Sequence, residues 1–277
     1  MNIAIQGIKG SFHDIAACNF FGENVAISAC KSFIEISELI TKNIVDSGIM
    51  AIENSIAGAI LPNYQLIDAY NLSVYGEVYL PMIHNLMALK GQHLNDIKEV
   101  RSHPMAIQHC RNFFRKHPDI KIIEDNDTAG VAKEIKENKI EGVAAVASEK
   151  AAKIYNLEIL EKGIQTDWLN MTRYFILKKQ RHHHQDDYLN NKASLKFIAN
   201  HDMGALIEIL TIFKAYNLNL SKIQSMPITK EPWNYAFFID VVFKDYQKYC
   251  QALLILEKKV NELKILGEYP QNKFIYK

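Results

Sequence analysis

Asn170-Met171-Thr172-Arg173-Tyr174-Phe175 puts a hydroxyl beside a guanidinium, just ahead of the apolar run Tyr174–Leu177. A run so rich in aromatic and aliphatic side chains reads as a strand. Thr172 and Arg173 are therefore expected where a loop enters that strand, pinned by the sheet. A proton donor beside a fixed cation suits a small anionic substrate. A hydroxyl turned onto its own backbone, next to a surface arginine, would give the same letters.

Upstream, short apolar runs alternate with amphipathic segments. The runs are Ile3–Gln6, Val25–Ser28, Gly48–Ile52, Ser73–Leu80, Asn85–Leu89, Glu99–Ser102, Ile120–Glu124, Val143–Ala147 and Glu158–Glu161. Phe33, Ile36, Ile40 and Ile44 share one helical face. Pro104 suits a first helical turn, because it loses no hydrogen bond there. Asp127 or Thr128 can cap the helix that carries Val131 and Ile135. Such alternation predicts an α/β fold with mostly parallel sheet. The stretch from Gly76 to Pro81 reads as a crossing between two lobes, with the strand near Tyr174 returning to the first lobe and a ligand cleft between them.

Residues 180–192 carry no apolar period and read as a linker. Their triple histidine, His182–His184, could bind metal but reads more simply as solvated loop. Beyond the linker the pattern restarts: a strand at Ser194–Ala199, a helix carrying Leu206, Ile209, Leu210 and Phe213, then strands at Leu218–Ser225 and Tyr235–Phe243 around a hairpin loop from Pro227 to Trp233. A long helix is expected to stripe Tyr249, Leu253, Leu256, Val260 and Leu263, before a short strand at Leu266–Tyr269. The order βαββαβ is the ferredoxin-like plan.

The 277 residues hold 48% apolar and 23% charged side chains, ample for a core, with a formal net charge of +1. No electrostatic footprint for nucleic acid or an anionic membrane is present. There is no apolar run of transmembrane length, and Met1–Gly7 lacks a basic leader, so no signal peptide is expected. Cys18, Cys30, Cys110 and Cys250 are scattered, which suits a reduced, cytoplasmic setting.

Three strand-to-helix junctions are candidates for ligand contact, since α/β sheets bind ligands at the carboxyl ends of their strands. After Ile52 come Asn54, Ser55 and Gly58, offering an amide, a hydroxyl and room for close approach. Thr128, Ala129 and Gly130 open a helix whose backbone N–H groups could hold an anion. His103 precedes Pro104 and either orients substrate or caps the helix. Each also reads as ordinary turn or cap chemistry. Gly7-Ile8-Lys9-Gly10-Ser11 is a glycine-bearing turn without the Lys-Ser/Thr step of a nucleotide cradle, and no metal-ligand spacing stands out.

Taken in series, these blocks resemble the prephenate dehydratase family. Ala51-Ile52-Glu53-Asn54-Ser55-Ile56-Ala57-Gly58 is similar to its P-I-E-N-S-x-x-G block, and Ser102-His103-Pro104-Met105-Ala106 to its S-H-P-Q-A block. Thr128-Ala129-Gly130 and Ala147–Ala152 follow in register. Asn170-Met171-Thr172-Arg173-Tyr174 is similar to its N-x-T-R-F signature, with Tyr174 replacing phenylalanine. The resemblance implies a two-lobed catalytic domain like that of periplasmic binding proteins over 1–179, and an ACT regulatory domain of ferredoxin-like plan over 193–277.

It also implies conversion of prephenate to phenylpyruvate, water and carbon dioxide in phenylalanine biosynthesis, with no redox cofactor or metal. The family's essential threonine falls on Thr172. Substrate contacts are expected from Asn54, Ser55, Gly58, His103, Thr128, Ala129, Gly130, Asn170 and Arg173, with Arg173 binding substrate or bracing its loop. Feedback by L-phenylalanine is expected at Gly204, Ala205, Leu206, Ile207, Ser225 and Pro227. There the family's E-S-R-P stands as Gln224-Ser225-Met226-Pro227, which cannot remake a Glu–Arg ion pair. Units of this kind pair through sheet edges, so a homodimer or homotetramer is expected. The two domains leave no stretch for a chorismate mutase, so the enzyme reads as monofunctional. Arogenate dehydratase and a non-catalytic aromatic amino-acid sensor are the other readings.

Overall fold

The computed structural model describes residues 1–180, 190–200, 202–228 and 231–272. His182–His184 lie outside the described residues.

In chain order, β1 (Asn2–Gln6), α1 (Phe12–Phe21), β2 (Ala26–Cys30), α2 (Phe33–Thr41), β3 (Ser47–Asn54), β4 (Gly58–Ala59), α3 (Leu61–Ala69) and β5 (Leu72–Pro81) come first. Then follow β6 (Asn85–Ala88), β7 (Glu99–Ser102), α4 (Pro104–His109), α5 (Arg111–Arg115), β8 (Lys121–Glu124), α6 (Thr128–Asn138), β9 (Val143–Ala147), α7 (Glu149–Ile154), β10 (Glu158–Glu161) and β11 (Met171–Lys179). The C-terminal elements are β12 (Lys192–Ala199), α8 (Ala205–Ala215), β13 (Asn219–Ile228), β14 (Glu231–Val242), α9 (Tyr246–Leu256) and β15 (Val260–Tyr269).

The first sheet has the order β2-β1-β3-β11-β5, with β4 paired to β3. The second has the order β10-β6-β9-β7-β8. These sheets form the two expected lobes, and β11 returns to the first. In the first, β1 is parallel to β2 and β3. The second is mixed: β7 is parallel to β8 and β9, while β6 runs antiparallel to β9 and β10. The crossing falls after Pro81 rather than over Gly76–Pro81, because β5 stays in the first sheet to its end. The junction helices are capped as their sequences suggest. Ser11 accepts from Asp14 N, Asp127 from Gly130 N, and His103 Nδ1 from Met105 N; each fills an otherwise orphaned donor.

Three expectations fail locally. Thr172 and Arg173 lie inside β11, whose strand begins at Met171, because the 54–57 loop supplies hydrogen bonds that extend it. The Ile44 side chain is exposed, since α2 stops at Thr41 and Asn43 turns into the left-handed region (φ 55°). The long C-terminal helix ends at Leu256, and Val260 and Leu263 belong to β15. The apolar period there fits helix and strand alike, and no Gly or Pro marks the break. The hairpin strands also run further than expected, taking in Pro227 and Glu231.

The chain divides into two compact units: 1–58 with 78–174, and 59–77 with 175–277. In the second unit, β12, β13, β14 and β15 form an antiparallel sheet in the order β13-β14-β12-β15, the ferredoxin-like arrangement. Its core includes Leu195, Phe197, Ile209, Phe213, Ile239 and Tyr249. Residues 59–77 belong here for definite reasons. Lys192 Nζ lies 2.9 Å and 3.0 Å from the two Glu77 carboxylate oxygens, with both side chains almost wholly buried. Lys196 and Lys264 each reach Asp68, at 2.7 Å and 2.8 Å. Burial works to raise the Asp68 carboxyl, but those two lysines outweigh it and hold it below its ordinary value. Tyr64 packs against Phe238, ring centroids 5.1 Å apart.

Among the described residues no helix is long and apolar enough to cross a membrane.

Candidate active site

Asn54 ends β3 and organises the site in two directions. Its Oδ1 accepts from Ile56 N (3.0 Å) and Ala57 N (2.9 Å), folding the loop that follows. With the carbonyl so engaged, its Nδ2 faces acceptors on the neighbouring strand: Asn170 Oδ1 at 2.6 Å, Met171 O at 3.1 Å and Thr172 Oγ1 at 3.1 Å. Ser55 fastens the same two segments. Its N donates to Met171 O (2.8 Å), its hydroxyl donates to Leu169 O (3.1 Å), and Met171 N donates to that hydroxyl (2.9 Å).

The outcome is a buried clamp. Asn54, Asn170, Thr172 and Arg173 are all buried, Thr172 at 6% exposure. Thr172 Oγ1 accepts from Asn54, and its hydroxyl also hydrogen-bonds the buried Tyr174 hydroxyl, which pulls the Tyr174 pKa down against the burial that raises it. Asn170 Nδ2 is a buried donor with no protein partner, a group whose desolvation a bound acceptor would offset. Arg173 Nη1 lies 3.7 Å from Glu53 Oε2 and its guanidinium carbon 5.8 Å from the Tyr79 ring centroid. Gly58 holds a left-handed conformation (φ 82°) over open space, so the turn itself requires glycine, and Ser55 and Gly58 are both exposed.

The glycine turn after β1 connects the lobes. Gly10, at φ 90°, lies so close to α7 that an added Cβ would sit 2.9 Å from Ala151 Cα. Ser148 Oγ donates to Gly10 O at 2.5 Å, and Tyr155 OH to Lys9 O at 2.7 Å. Asp127 also accepts from Ile8 of this turn. Burial pushes the Asp127 carboxyl up, against backbone hydrogen bonds from Gly130, Ala129, Thr128 and Ile8 that pull it down. The backbone donors at Thr128–Gly130, expected to be open to an anion, are therefore satisfied by Asp127. Ala129 is fully buried and Thr128 nearly so.

His103 caps α4 through Nδ1 (3.2 Å to Met105 N), and burial lowers its pKa, so its ring is neutral. Sequence reasoning passed over the histidines around it. His13, on α1, is buried, stands edge-on to Tyr174 at 4.9 Å, and has its pKa pushed down to about 3 by burial and then by His103. His84 Nε2 lies 3.3 Å from His109 Nδ1, and burial, then His109, pushes its pKa down to about 3. Nothing in their spacing signals this cluster, which only the two-lobed fold assembles. Among the described residues no group of three or more His, Cys, Asp or Glu side chains could hold a metal ion.

In the second unit, Gly204, Ala205, Leu206 and Ile207 come together at the start of α8. They line a cavity of about 520 Å³ with Ala199, Asn200, Asp202, Met203, Asn234, Tyr235 and Phe237. Ser225 and Pro227 do not line it; they sit one strand away on β13, opposite Phe237 and Tyr235. The Met226 side chain is buried, and Gln224 Nε2 turns back to Ser225 O at 2.9 Å.

The chain thus combines a two-lobed α/β unit, which holds a buried hydroxyl clamped by an amide between two strands, with a ferredoxin-like βαββαβ unit. The family model of prephenate dehydratase matches residues 3–182, and the chain belongs to the prephenate dehydratase family. It is 35% identical over 280 residues to the Arabidopsis thaliana arogenate dehydratase/prephenate dehydratase 2, chloroplastic, covering 98% of this chain and 73% of that one. Among solved structures, the quorum-quenching acylase GqqA aligns with TM-score 0.88 at 25% identity, over 98% of each chain. The prephenate dehydratase of Arthrobacter aurescens in complex with L-Phe aligns with TM-score 0.82 at 24% identity, over 98% of this chain and 90% of that one.

Proposed function

We propose that this chain converts prephenate to phenylpyruvate, with Thr172 as the group that assists departure of the ring hydroxyl. The carbon–carbon bond to the ring carboxylate breaks and releases carbon dioxide. Its electron pair completes the aromatic ring while the para C–O bond breaks, and the departing hydroxide takes a proton to become water. Aromatisation drives the step. Thr172 Oγ–H hydrogen-bonds the leaving oxygen, and a threonine is too weak an acid to do more than donate within a relay. Asn54 Nδ2 fixes Oγ1, and on substrate binding the hydroxyl proton turns from Tyr174 to the leaving oxygen. The observation that carries this reading is the 3.1 Å contact from Asn54 Nδ2 to Thr172 Oγ1 inside a buried clamp.

Asn170 Nδ2, unpartnered in the same clamp, is the proposed donor to a substrate oxygen, and His103, which caps α4, is a proposed further substrate contact. Ser55 acts by tying the loop to β11, and Arg173 by bracing it through Glu53. Thr128, Ala129 and Gly130 contribute through their helix cap rather than by direct anion binding. The matching of residues 3–182 to the family supports dehydration over the acylase chemistry named for the structural relative. Prephenate and arogenate differ only in the side-chain keto or amino group, so assay of both substrates decides between them. A non-catalytic sensor would bind phenylalanine and turn over neither.

The cavity at Gly204–Ile207 is proposed as the effector site, with L-phenylalanine as effector. The arrangement of 1–179 as catalytic and 193–277 as regulatory is part of the same proposal, as is a homodimer or homotetramer. The four cysteines are free, which supports a reduced, cytoplasmic setting. Incubation of the protein with prephenate, followed by detection of phenylpyruvate with and without phenylalanine, tests the whole reading; turnover of neither prephenate nor arogenate would end it.

A further inference from the structure

We propose that Cys18 and Lys150 form an oxidant-dependent, reversible covalent bridge through one oxygen atom, Sγ–O–Nζ, between the two lobes. Cys18 lies on α1, behind β1 of the first sheet, and Lys150 in the first turn of α7, behind β9 of the second. Lys150 Nζ is 2.9 Å from Cys18 Sγ. Other sulfur contacts among the described residues include longer ones: 3.7 Å for Cys30 to Ser28 O, 3.8 Å for Cys18 to Asp14 Oδ1 and 3.9 Å for Tyr174 OH to Met82 Sδ. The ammonium is held in place by Asp14 Oδ2 at 3.1 Å and Glu23 Oε2 at 3.5 Å. Asp14 is itself fixed, since Gly10 N donates to the same oxygen at 2.8 Å. Asp14 and Cys18 stand one helical turn apart on the buried face of α1. The pair is thus held within bonding reach of a single inserted atom, and the proposed reaction makes no use of it.

The oxidant is a peroxide. Hydrogen peroxide first converts the Cys18 thiol to a sulfenic acid: an S–O bond forms, the O–O bond breaks and one water leaves. Lys150 then reacts as the free amine, its ammonium proton having passed to solvent. A second peroxide accepts two electrons as the N–O bond forms. One proton leaves the nitrogen and one the sulfenic hydroxyl, and two more waters result. The sum is thiol, amine and two peroxides giving the bridge and three waters. Thiol reductants reverse it to thiol, amine and water. Burial raises the Cys18 pKa while the hydrogen bond from Lys150 lowers it, so oxidation is slow at the thiol stage and selective for a small oxidant. At 8% exposure, Cys18 admits peroxide more readily than a bulky disulfide. Bridging ties α1 to α7 and fixes the spacing of the lobes. Its effect on turnover rests on the proposed reaction; its existence does not.

The test is peptide mapping of the whole chain after hydrogen peroxide, with free thiols alkylated before tryptic digestion. The expected product joins the peptides of Cys18 and Lys150 with a mass gain of one oxygen less two hydrogens. Cleavage after Lys150 is lost, dithiothreitol restores both peptides, and the product is absent in Cys18→Ser. Lys150→Arg, which keeps the cation, also abolishes it, and covers the case in which Cys18→Ser fails to fold. Recovery of Cys18 only as an alkylated thiol, or carrying whole oxygen atoms, with normal cleavage at Lys150, would overturn the proposal.

Discussion

The Asn54–Thr172 clamp and the cavity at Gly204–Ile207 are built in opposite ways. In the clamp Asn54 alone makes five hydrogen-bond contacts, and the buried Asn170 Nδ2 is left for a bound acceptor. At the cavity Met203 is fully exposed, Ile207 is 70% exposed and Gly204 has nothing within 4 Å of an added Cβ. Under the proposed function, the group that meets the leaving atom is over-determined before substrate arrives, while the proposed effector surface stays open to solvent until it is filled.

The largest effect is expected where the Thr172 hydroxyl is removed. Thr172→Val should lower kcat by roughly 100- to 10,000-fold while leaving the urea midpoint and phenylalanine binding near the parent's; steady-state kinetics and a binding titration check this. Next comes Lys192→Met, which strands Glu77 without its buried partner. A loss of about 3–5 kcal/mol in urea unfolding is expected, and would show that the looseness belongs to the cavity and not to the whole C-terminal unit. Deleting 193–277 is a poorer tool than it looks from sequence, since it also removes Lys196 and Lys264 from Asp68.

Acid should strike the clamp's surroundings selectively. His13 and His84 are held near pKa 3 when folded, below an unfolded value of about 6.5, so the unfolded chain binds the extra protons. Stability is intact above about pH 6.5 and falls as pH drops toward 3, on the order of a few kcal/mol for each histidine. Unfolding midpoints across that window check it, and His84→Gln should flatten the slope. Smaller again is Asn54→Asp, which cannot donate to Thr172 Oγ1. It should cost roughly 10- to 100-fold in kcat with a lesser change in KM, as for loss of a charge-neutral positioning bond. Last, Leu206→Lys at the cavity mouth should leave basal turnover unchanged and abolish inhibition by phenylalanine.

Much of this contrast was legible in the residues. The apolar run Val143–Ala147 became a fully buried strand with its expected limits, because burial on both faces of a sheet demands that composition; Glu99–Ser102 kept its limits with alternate residues buried. Pro104 with His103, and Asp127 before Thr128, announced their helix starts through cap chemistry. The Asn54 and Thr172 segments were each recognisable. Their union was not, since 118 positions separate them and only the β3–β11 pairing joins them. The misread helix at Val260 and the closed anion site at Thr128–Gly130 have one cause. A local pattern says which partners a group can take, and the tertiary fold decides which it finds. The histidine cluster and the Cys18–Lys150 pair carry no local pattern at all.

The most direct test of the central claim measures phenylpyruvate formed from prephenate by the parent protein and by Thr172→Val, side by side, each shown folded by its unfolding transition. The account predicts steady turnover by the parent and almost none by the variant. Equal rates from the two would contradict it.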